Sequence, residues 1–340
     1  MTQLPFDDEL IQLKHGAGGR AMRALIEQVF LAGVTDVEAR AMGDGAAIPF
    51  GDQFLVLTTD AHVVSPAFFP GGDIGRLAVS GVVNDLAMMG ACDVLALMAA
   101  VILEEGFPVE HLRRIQASVR AACREADAKI LTGDTKVMGK GEVDGLVMST
   151  SGLGVTDRVV RDSGLRPGDA IIITGTIADH GLAVLSARHG LALEGALRSD
   201  VAPLNGLVRL ALKAGGAGVH AMKDPTRGGV TSALSEMAEK ARVGILLDEA
   251  SLPMSEAARA ASEILGIDPL CVANEGKALI GVAPEVLDLV LAALRAHPLG
   301  ARAACIGWAS AEHAGTLLLD TGFGRRRLFE RDGEPMPRIC

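Results

Sequence analysis

Apolar runs of strand length alternate with longer stretches of helical period twice along this chain. That alternation restricts it to layered α/β architectures. The first series passes from a strand, "QFLVLTTD", to a helix with small residues along one face, "DIGRLAVSGVVNDLAMMG". A buried strand, "CDVLALMAAVIL", and an amphipathic helix opened by proline, "PVEHLRRIQASVRAACREA", come next. Two more strands close the series, "AKILTGDTKV" and "GLVMSTSGLGV". The polar, Gly- and Pro-containing stretch "RDSGLRPGDA" then breaks the pattern near residues 161–169. The second series restarts at "DAIIITGTIADHG". Its helices are expected at "GGVTSALSEMAEKA" and "PEVLDLVLAALRA", and its strands at "VGILLD", "KALIGVA", "ACIGWA" and "TLLLD". Two α/β domains are therefore expected, residues 1–160 and 161–323, with a basic and then prolyl mobile tail over 324–340.

Composition narrows the class of function. Aromatics are only 3%, and small aliphatic residues supply the bulk, which suits close-packed layers. The net charge of −10 argues against nucleic-acid partners, which need basic surface. It leaves room for a nucleotide bound through Mg²⁺. The 5 cysteines contain no C-x-x-C pair, so neither a disulfide framework nor a zinc site is indicated and a reducing compartment is expected. No apolar run approaches the roughly 18 residues of a membrane span, and the start lacks the pattern of a secretory signal. The expectation is a cytoplasmic protein without membrane or nucleic-acid partners.

P-loop, Rossmann and zincin signatures are missing. Four aspartates stand out beside apolar segments: Asp44 in "MGDGAAI", Asp60 in "LTTDAHV", Asp85 in "VVNDLAMMG" and Asp134 in "LTGDTKV". Any one of them reads as a turn or cap residue. Together, if the element ends converge, they call for divalent cations as counter-charge. "KDPTRGGV" leads into a helix near Gly228, where Thr226 and Arg227 could bind an anion with the free N–H groups, or serve as an ordinary cap. "HGAGGR" carries Gly16, Gly18 and Gly19, which permit close backbone approach to phosphate or simply a flexible loop. Glu275 in "ANEGKA" reads as a general base or an ordinary turn residue, and Lys136 as a counter-charge for a phosphoryl group or a solvated lysine. Cys92, Cys123, Cys271 and Cys305 lie in apolar runs and read as core, and His111 and His189 as partly exposed helical residues. Cys340 ends the sequence in "PRIC", as a disordered end, a metal or disulfide partner, or a thiol that carries something.

Taken in order, "HGAGG", "GDGAAI", "TTDAHVVSPAFFPGGDIGRLAVSGVVNDLAMMGA", "ILEEGFP", "TGDTKV", "DPTRGGV", "ANEGK" and "PRIC" resemble the HypE family of hydrogenase maturation proteins. The resemblance runs from about residue 11 to the last residue, and "PRIC" sets this family apart from kinases and ligases of the same fold. It implies an aminoimidazole ribonucleotide synthetase-like fold. The N-terminal domain would form a homodimer through a shared β-barrel, with ATP and Mg²⁺ in the cleft between domains. It also implies that HypF carbamoylates Cys340, that the S-carboxamide is dehydrated with ATP to a thiocyanate, and that cyanide passes to iron on a HypC–HypD complex. By the same resemblance, Glu275 would be the base, Lys136 the counter-charge, and the four aspartates the Mg²⁺ ligands. Thr226 and Arg227 would fix a phosphate. His62 departs from the family pattern, and its role stays open. The 340 − 324 = 16 residues beyond Gly324 span at most about 55 Å and reach about 20–24 Å as a flexible chain. A related enzyme acting on a free small molecule, or a scaffold that only relays a ligand, would not need both this thiol and the acidic set.

Overall fold

The computed structural model describes residues 6–190, 197–330 and 338–340. Two short helices, α1 (Gly19–Leu25) and α2 (Val37–Ala41), precede the first sheet. That sheet is built from β1 (Ala46–Phe50), β2 (Gln53–His62), β5 (Asp93–Glu104), β6 (Ile130–Met138) and β7 (Leu146–Thr156), in the order β1-β2-β7-β5-β6. All of its pairs are antiparallel except β5 with β6. A two-residue hairpin, β3 (Phe68–Phe69) and β4 (Gly72–Asp73), leads into α3 (Ile74–Met88), and α4 (Val109–Glu125) packs on α3.

Helix α3 is apolar nearly all round because it is covered on every side. One flank lies on β2 and β7, and another touches the second half of the chain. Its approach to the sheet depends on a glycine: a Cβ at Gly152 of β7 would stand 2.5 Å from Val82 and 2.9 Å from Leu86.

The second half holds β8 (Ala170–Ile173), α5 (Asp179–Arg188), α6 (Asn205–Gly215), β9 (Val219–Lys223), α7 (Gly229–Ala241) and β10 (Gly244–Asp248). After these come α8 (Glu256–Leu265), β11 (Leu279–Val282), α9 (Leu287–Arg295), β12 (Ala304–Ser310), β13 (Leu317–Asp320) and β14 (Arg325–Leu328). The strands form one sheet in the order β14-β13-β10-β12-β8-β11-β9. One of its cores gathers residues of α7, and another gathers residues of α6 and α9. The architecture is a mixed α/β, two-sheet fold of the class expected. Among the described residues no helix is long and apolar enough to cross a membrane.

The expectation of a mobile tail from residue 324 needs correction. Arg325–Leu328 pairs antiparallel with β13, because alternate register with Leu317 buries Leu328 against the sheet's core. Residues 338–340 are docked on the first half, with Ile339 buried. The prolines at 335 and 337 lie outside the described residues.

Gly152→Ala is expected to cost about 1–3 kcal/mol through overpacking between β7 and α3, seen as a lower denaturant midpoint. An unchanged midpoint would mean that α3 can lift from the sheet without penalty.

Candidate active site

A cleft of about 750 Å³ opens between α1, the end of β2, the flank of α3 and the loop before α7. Asp60, Asp85, Asp224, Arg227, Glu275 and Cys340 all line it.

Strand β2 supplies Asp60, and α3 crosses directly behind it. A Cβ at Gly81 would sit 2.9 Å from His62 Nε2 and 3.4 Å from Asp60 Oδ2, so only glycine lets the helix come this close. Buried His62 places Nε2 3.2 Å from Asp60 Oδ2. Burial works against the charge on Asp60, but His62 and then Arg227 outweigh it and hold the carboxyl down at about 2. His62, whose role the sequence left open, therefore orients Asp60 and keeps it ionised.

One helical turn beyond Gly81, Asp85 accepts a hydrogen bond from Thr58 Oγ1 at 2.8 Å. Burial pushes its carboxyl well above the usual range, and Asp224, Asp60 and Asp44 add to the push. Asp224 follows the end of β9 and is buried; burial first, and Asp44 next, raise it to about 7. Asp44 also faces the cleft, but Lys223 Nζ lies 2.5 Å from it. Burial opposes the charge on Lys223, yet Asp44, Glu236 and Asp162 hold its pKa well above the ordinary lysine value.

Glu275 sits in a buried turn whose other polar groups are bonded. Its N–H donates to Asp200 Oδ1 at 3.1 Å, and its carbonyl accepts from Asn84 Nδ2 at 3.1 Å. Asn274 donates to Pro225 and Val272 and accepts from the N–H of Ala178. Lys277 pairs with Asp200 at 2.9 Å. Against this background Glu275 Oε1 is buried with no hydrogen-bond partner among the described residues. Burial raises its carboxyl well above the usual value, and Asp224, Asp60 and Asp200 add to this against Arg227.

Arg227 and Thr226 lie in the turn before α7, and both line the cleft. The charge of Cys340 does most to raise the pKa of Arg227, against burial, with help from Asp60 and Glu275. Gly18, in the left-handed region at φ +79°, packs with its Cα against Arg227: a Cβ there would stand 3.3 Å from the Arg227 carbonyl oxygen. Arg227 Nη1 donates to the Gly16 carbonyl at 3.3 Å. Gly18 and Gly19 line the cleft, whereas Gly16 only supports Arg227.

Two of the expected site residues are elsewhere. Asp134 and Lys136 lie on β6, an edge strand, with side chains 69% and 71% exposed. They do not line the cleft of this chain, because the parallel pairing of β5 with β6 carries them to the far side of the sheet order. Asp224 and Asn84 were missed. Asp224 stood in a quoted motif and follows a strand end, the same signal that drew attention to the other aspartates. Asn84 is a buried polar residue inside an apolar helix, and such a residue needs partners.

The residues present suit Mg²⁺ bound with phosphates. No group of three or more ligands is preassembled among the described residues. Mg²⁺ binds, however, through one or two carboxylates plus phosphate oxygens and water, and Asp60 and Asp85, which face the same cleft, meet that need.

Two family models match the chain: the AIR synthase related protein N-terminal domain over residues 42–156 and its C-terminal domain over 166–320. Carbamoyl dehydratase HypE of Rhizobium leguminosarum bv. viciae is 50% identical over 333 residues, covering 97% of this chain and 95% of that one. The protein of the same name from Escherichia coli (strain K12) is 41% identical over 337 residues, covering 97% and 99%. A HypE–HypF complex superposes with a TM-score of 0.85 at 43% identity, over 91% of this chain and 100% of that one. HypE in complex with ATP gives 0.81 at 39% identity, over 97% and 100%. Thiamine monophosphate kinase from Aquifex aeolicus, at 18% identity, TM-score 0.62 and coverage of 89% and 98%, shares the fold.

The raised pKa of Asp224 has a pH consequence. The folded chain binds this proton more tightly than the unfolded chain. Stability therefore falls as pH rises from the ordinary carboxylate value to about 7, and the cost is complete above that. Without ligands or divalent cations, Asp224→Asn should raise the melting temperature at pH 8 by at least about 2 °C and change it little at pH 4. A lower melting temperature at pH 8 would show instead that Lys223 pairs with an ionised Asp224.

Proposed function

The chain belongs to the HypE family of AIR synthase related proteins, and on that premise we propose that it is an ATP-dependent carbamoyl dehydratase of hydrogenase maturation. The observation that best supports this is that Cys340, Arg227 and a buried Glu275 with an unpartnered oxygen line one cleft. In this reading a HypF-type partner loads a carbamoyl group onto the Cys340 thiol, as the HypE–HypF complex suggests. ATP enters the same cleft, as in the ATP complex of HypE.

The amide oxygen of an S-carboxamide is a poor leaving group. Transfer of the γ-phosphoryl group onto that oxygen turns it into a phosphate ester and releases ADP. The C–O bond then breaks, phosphate departs with the oxygen, and the carbon–nitrogen bond becomes a nitrile on sulfur. Both protons leave nitrogen in the course of these steps. Glu275 accepts one of them through its buried oxygen, which has no partner among the described residues. Arg227 counters the developing charge beside Cys340, a role the sequence had given to Lys136. Asp60 and Asp85, with Asp224 beside them, would hold Mg²⁺, which would supply counter-charge to the phosphates. The turn of Thr226 and Arg227 and the N-terminus of α7 bind phosphate oxygens, with Gly18 and Gly19 along the same cleft. The cyano group then passes to iron on a HypC–HypD complex and becomes a ligand of the [NiFe] centre.

The reading includes a cytoplasmic homodimer. Edge strand β6 exposes Leu131 and Val137, an apolar edge of the kind that pairs with another chain. A second copy is also the arrangement that would give Asp134 and Lys136 a site to serve. Light scattering at micromolar concentration should give twice the chain mass. A monomer would remove both residues from the mechanism.

Two variants separate carrier from base. Cys340→Ala should abolish carbamoyl loading and leave ATP binding nearly unchanged. Glu275→Gln should bind ATP and accept the carbamoyl group, yet form thiocyanate about 10²–10⁴ times more slowly. Mass spectrometry of the C-terminal peptide, after incubation with HypF, carbamoyl donor and ATP, reads both. Wild-type nitrile formation by Glu275→Gln would move the base elsewhere.

A further inference from the structure

Residues 338–340 are held against the protein by an unusually complete set of backbone contacts. The N–H groups of Val63 and Ser65 donate to the carbonyls of Cys340 and Arg338, at 3.2 and 3.1 Å. Arg188 Nη2 donates to the Arg338 carbonyl at 2.7 Å, and its Nε to the Ser65 carbonyl at 2.8 Å. Arg338 returns a bond from Nε to the Val63 carbonyl and pairs with Asp144. Ile339 lies in the core with Leu182 and Leu185 of α5.

The remaining carbonyl, that of Ile339, meets His180. His180 Nε2 lies 2.9 Å from it, and Nδ1 lies 2.8 Å from Ser199 Oγ. His180 is fully buried, and burial lowers its pKa, so the ring is neutral and carries one N–H. A carbonyl can only accept, so Nε2 holds the proton and Nδ1 accepts from the Ser199 hydroxyl. Ser199 Oγ accepts in turn from the N–H of Val201. Asp200, between them, takes the N–H of Glu275 and the ammonium of Lys277. Gly276 lies so tightly on the Asp200 carbonyl that a Cβ there would overlap it. One three-residue segment, Ser199–Val201, therefore fixes both the ring that holds the residue before Cys340 and the turn that carries Glu275.

We propose that His180 is a positioning residue for the reaction, setting the Cys340 thiol in register with Glu275 by donating from Nε2 to the Ile339 carbonyl. This rests on the reading of Cys340 as carrier. When the chain end leaves its dock, the Ile339 carbonyl goes to water but the buried His180 N–H loses its partner, so the bond favours the docked state. His180 does not touch the reacting atoms, and it acts through the backbone of Ile339.

The test uses His180→Phe, which keeps an aromatic ring against Phe69 (centroids 5.4 Å apart) but has no N–H, and His180→Gln, which restores a donor. Alkylation of Cys340 by iodoacetamide with ATP present, followed on the C-terminal peptide, reports the docked fraction. Expected in His180→Phe is alkylation about tenfold faster and single-turnover nitrile formation about tenfold slower, with ATP affinity unchanged. His180→Gln should recover most of both. Should His180→Phe fail to fold, Ser199→Ala, which frees the ring's orientation, must shift alkylation in the same direction. Wild-type alkylation in the folded variant, or equal defects in the Phe and Gln variants, overturns the proposal. Alkylation needs no carbamoyl chemistry. A wild-type chain that forms no thiocyanate would therefore refute the carrier reading while the alkylation contrast still judges the dock.

Discussion

Carboxylates taken out of water govern the arrangement of this cleft. Asp44, Asp60, Asp85, Asp224 and Glu275 face one volume, and the cations facing them are Lys223 and Arg227 among others at its rim. Lys223 is shared among Asp44, Glu236 and Asp162, and Arg227 among Cys340, Asp60 and Glu275. The unmet charge is handled by protons: burial and mutual repulsion raise Asp85, Asp224 and Glu275, while Asp60 alone is driven down, by His62 and Arg227. A divalent cation entering with phosphates would displace protons from this set. Binding of such a cation would thus be coupled to proton release.

The supports around those carboxylates are built without slack. Gly81 lets α3 approach His62, and Asn84, one turn further along, bonds the carbonyls of Ala202 and Glu275 and the N–H of Leu204. The same helix therefore presents Asp85 to the cleft and ties down the turn of Glu275. The Glu275 oxygen without a partner among the described residues sits in a turn whose backbone at Glu275 and side chains of Asn274 and Lys277 are hydrogen-bonded. The stabilisation lies in the scaffold, and the unmet group is left for a ligand.

Most of the fold was legible because its signals are local. Strand and helix periods marked β2, α3, β5, α4 and β7 within a few residues of their observed ends. The short strands β1 and β9 were not separately read, since five residues carry no distinct period, and α8 was not read either. Asp60, Asp85, Arg227 and Glu275 were found by residue type beside apolar runs, and they do meet. Asp134 and Lys136 carried the same local signal and do not meet them in one chain. Strand order decides that outcome, and order is set by pairings distant in sequence. The bonds from Asn84 to Glu275, between His180 and Ser199, and from His180 to Ile339 each span at least 19 residues, so no window of sequence could reveal them.

The docked chain end also changes the physics of its tether. With Leu328 paired in β14, Cys340 is separated from the sheet by the 340 − 328 = 12 residues beyond it, not the 16 counted from Gly324. Fully extended, that is about 40 Å, so a partner acting on the thiol must come within that radius of the end of β14. A shorter tether raises the effective concentration of the thiol at its own cleft, and the dock needs correspondingly less binding energy of its own. A few backbone hydrogen bonds and one buried isoleucine are then enough to hold the end in place, yet weak enough to let it go. If Cys340 is the carrier proposed above, such a balance is what it requires, because a dock that never opened could not be loaded by a partner.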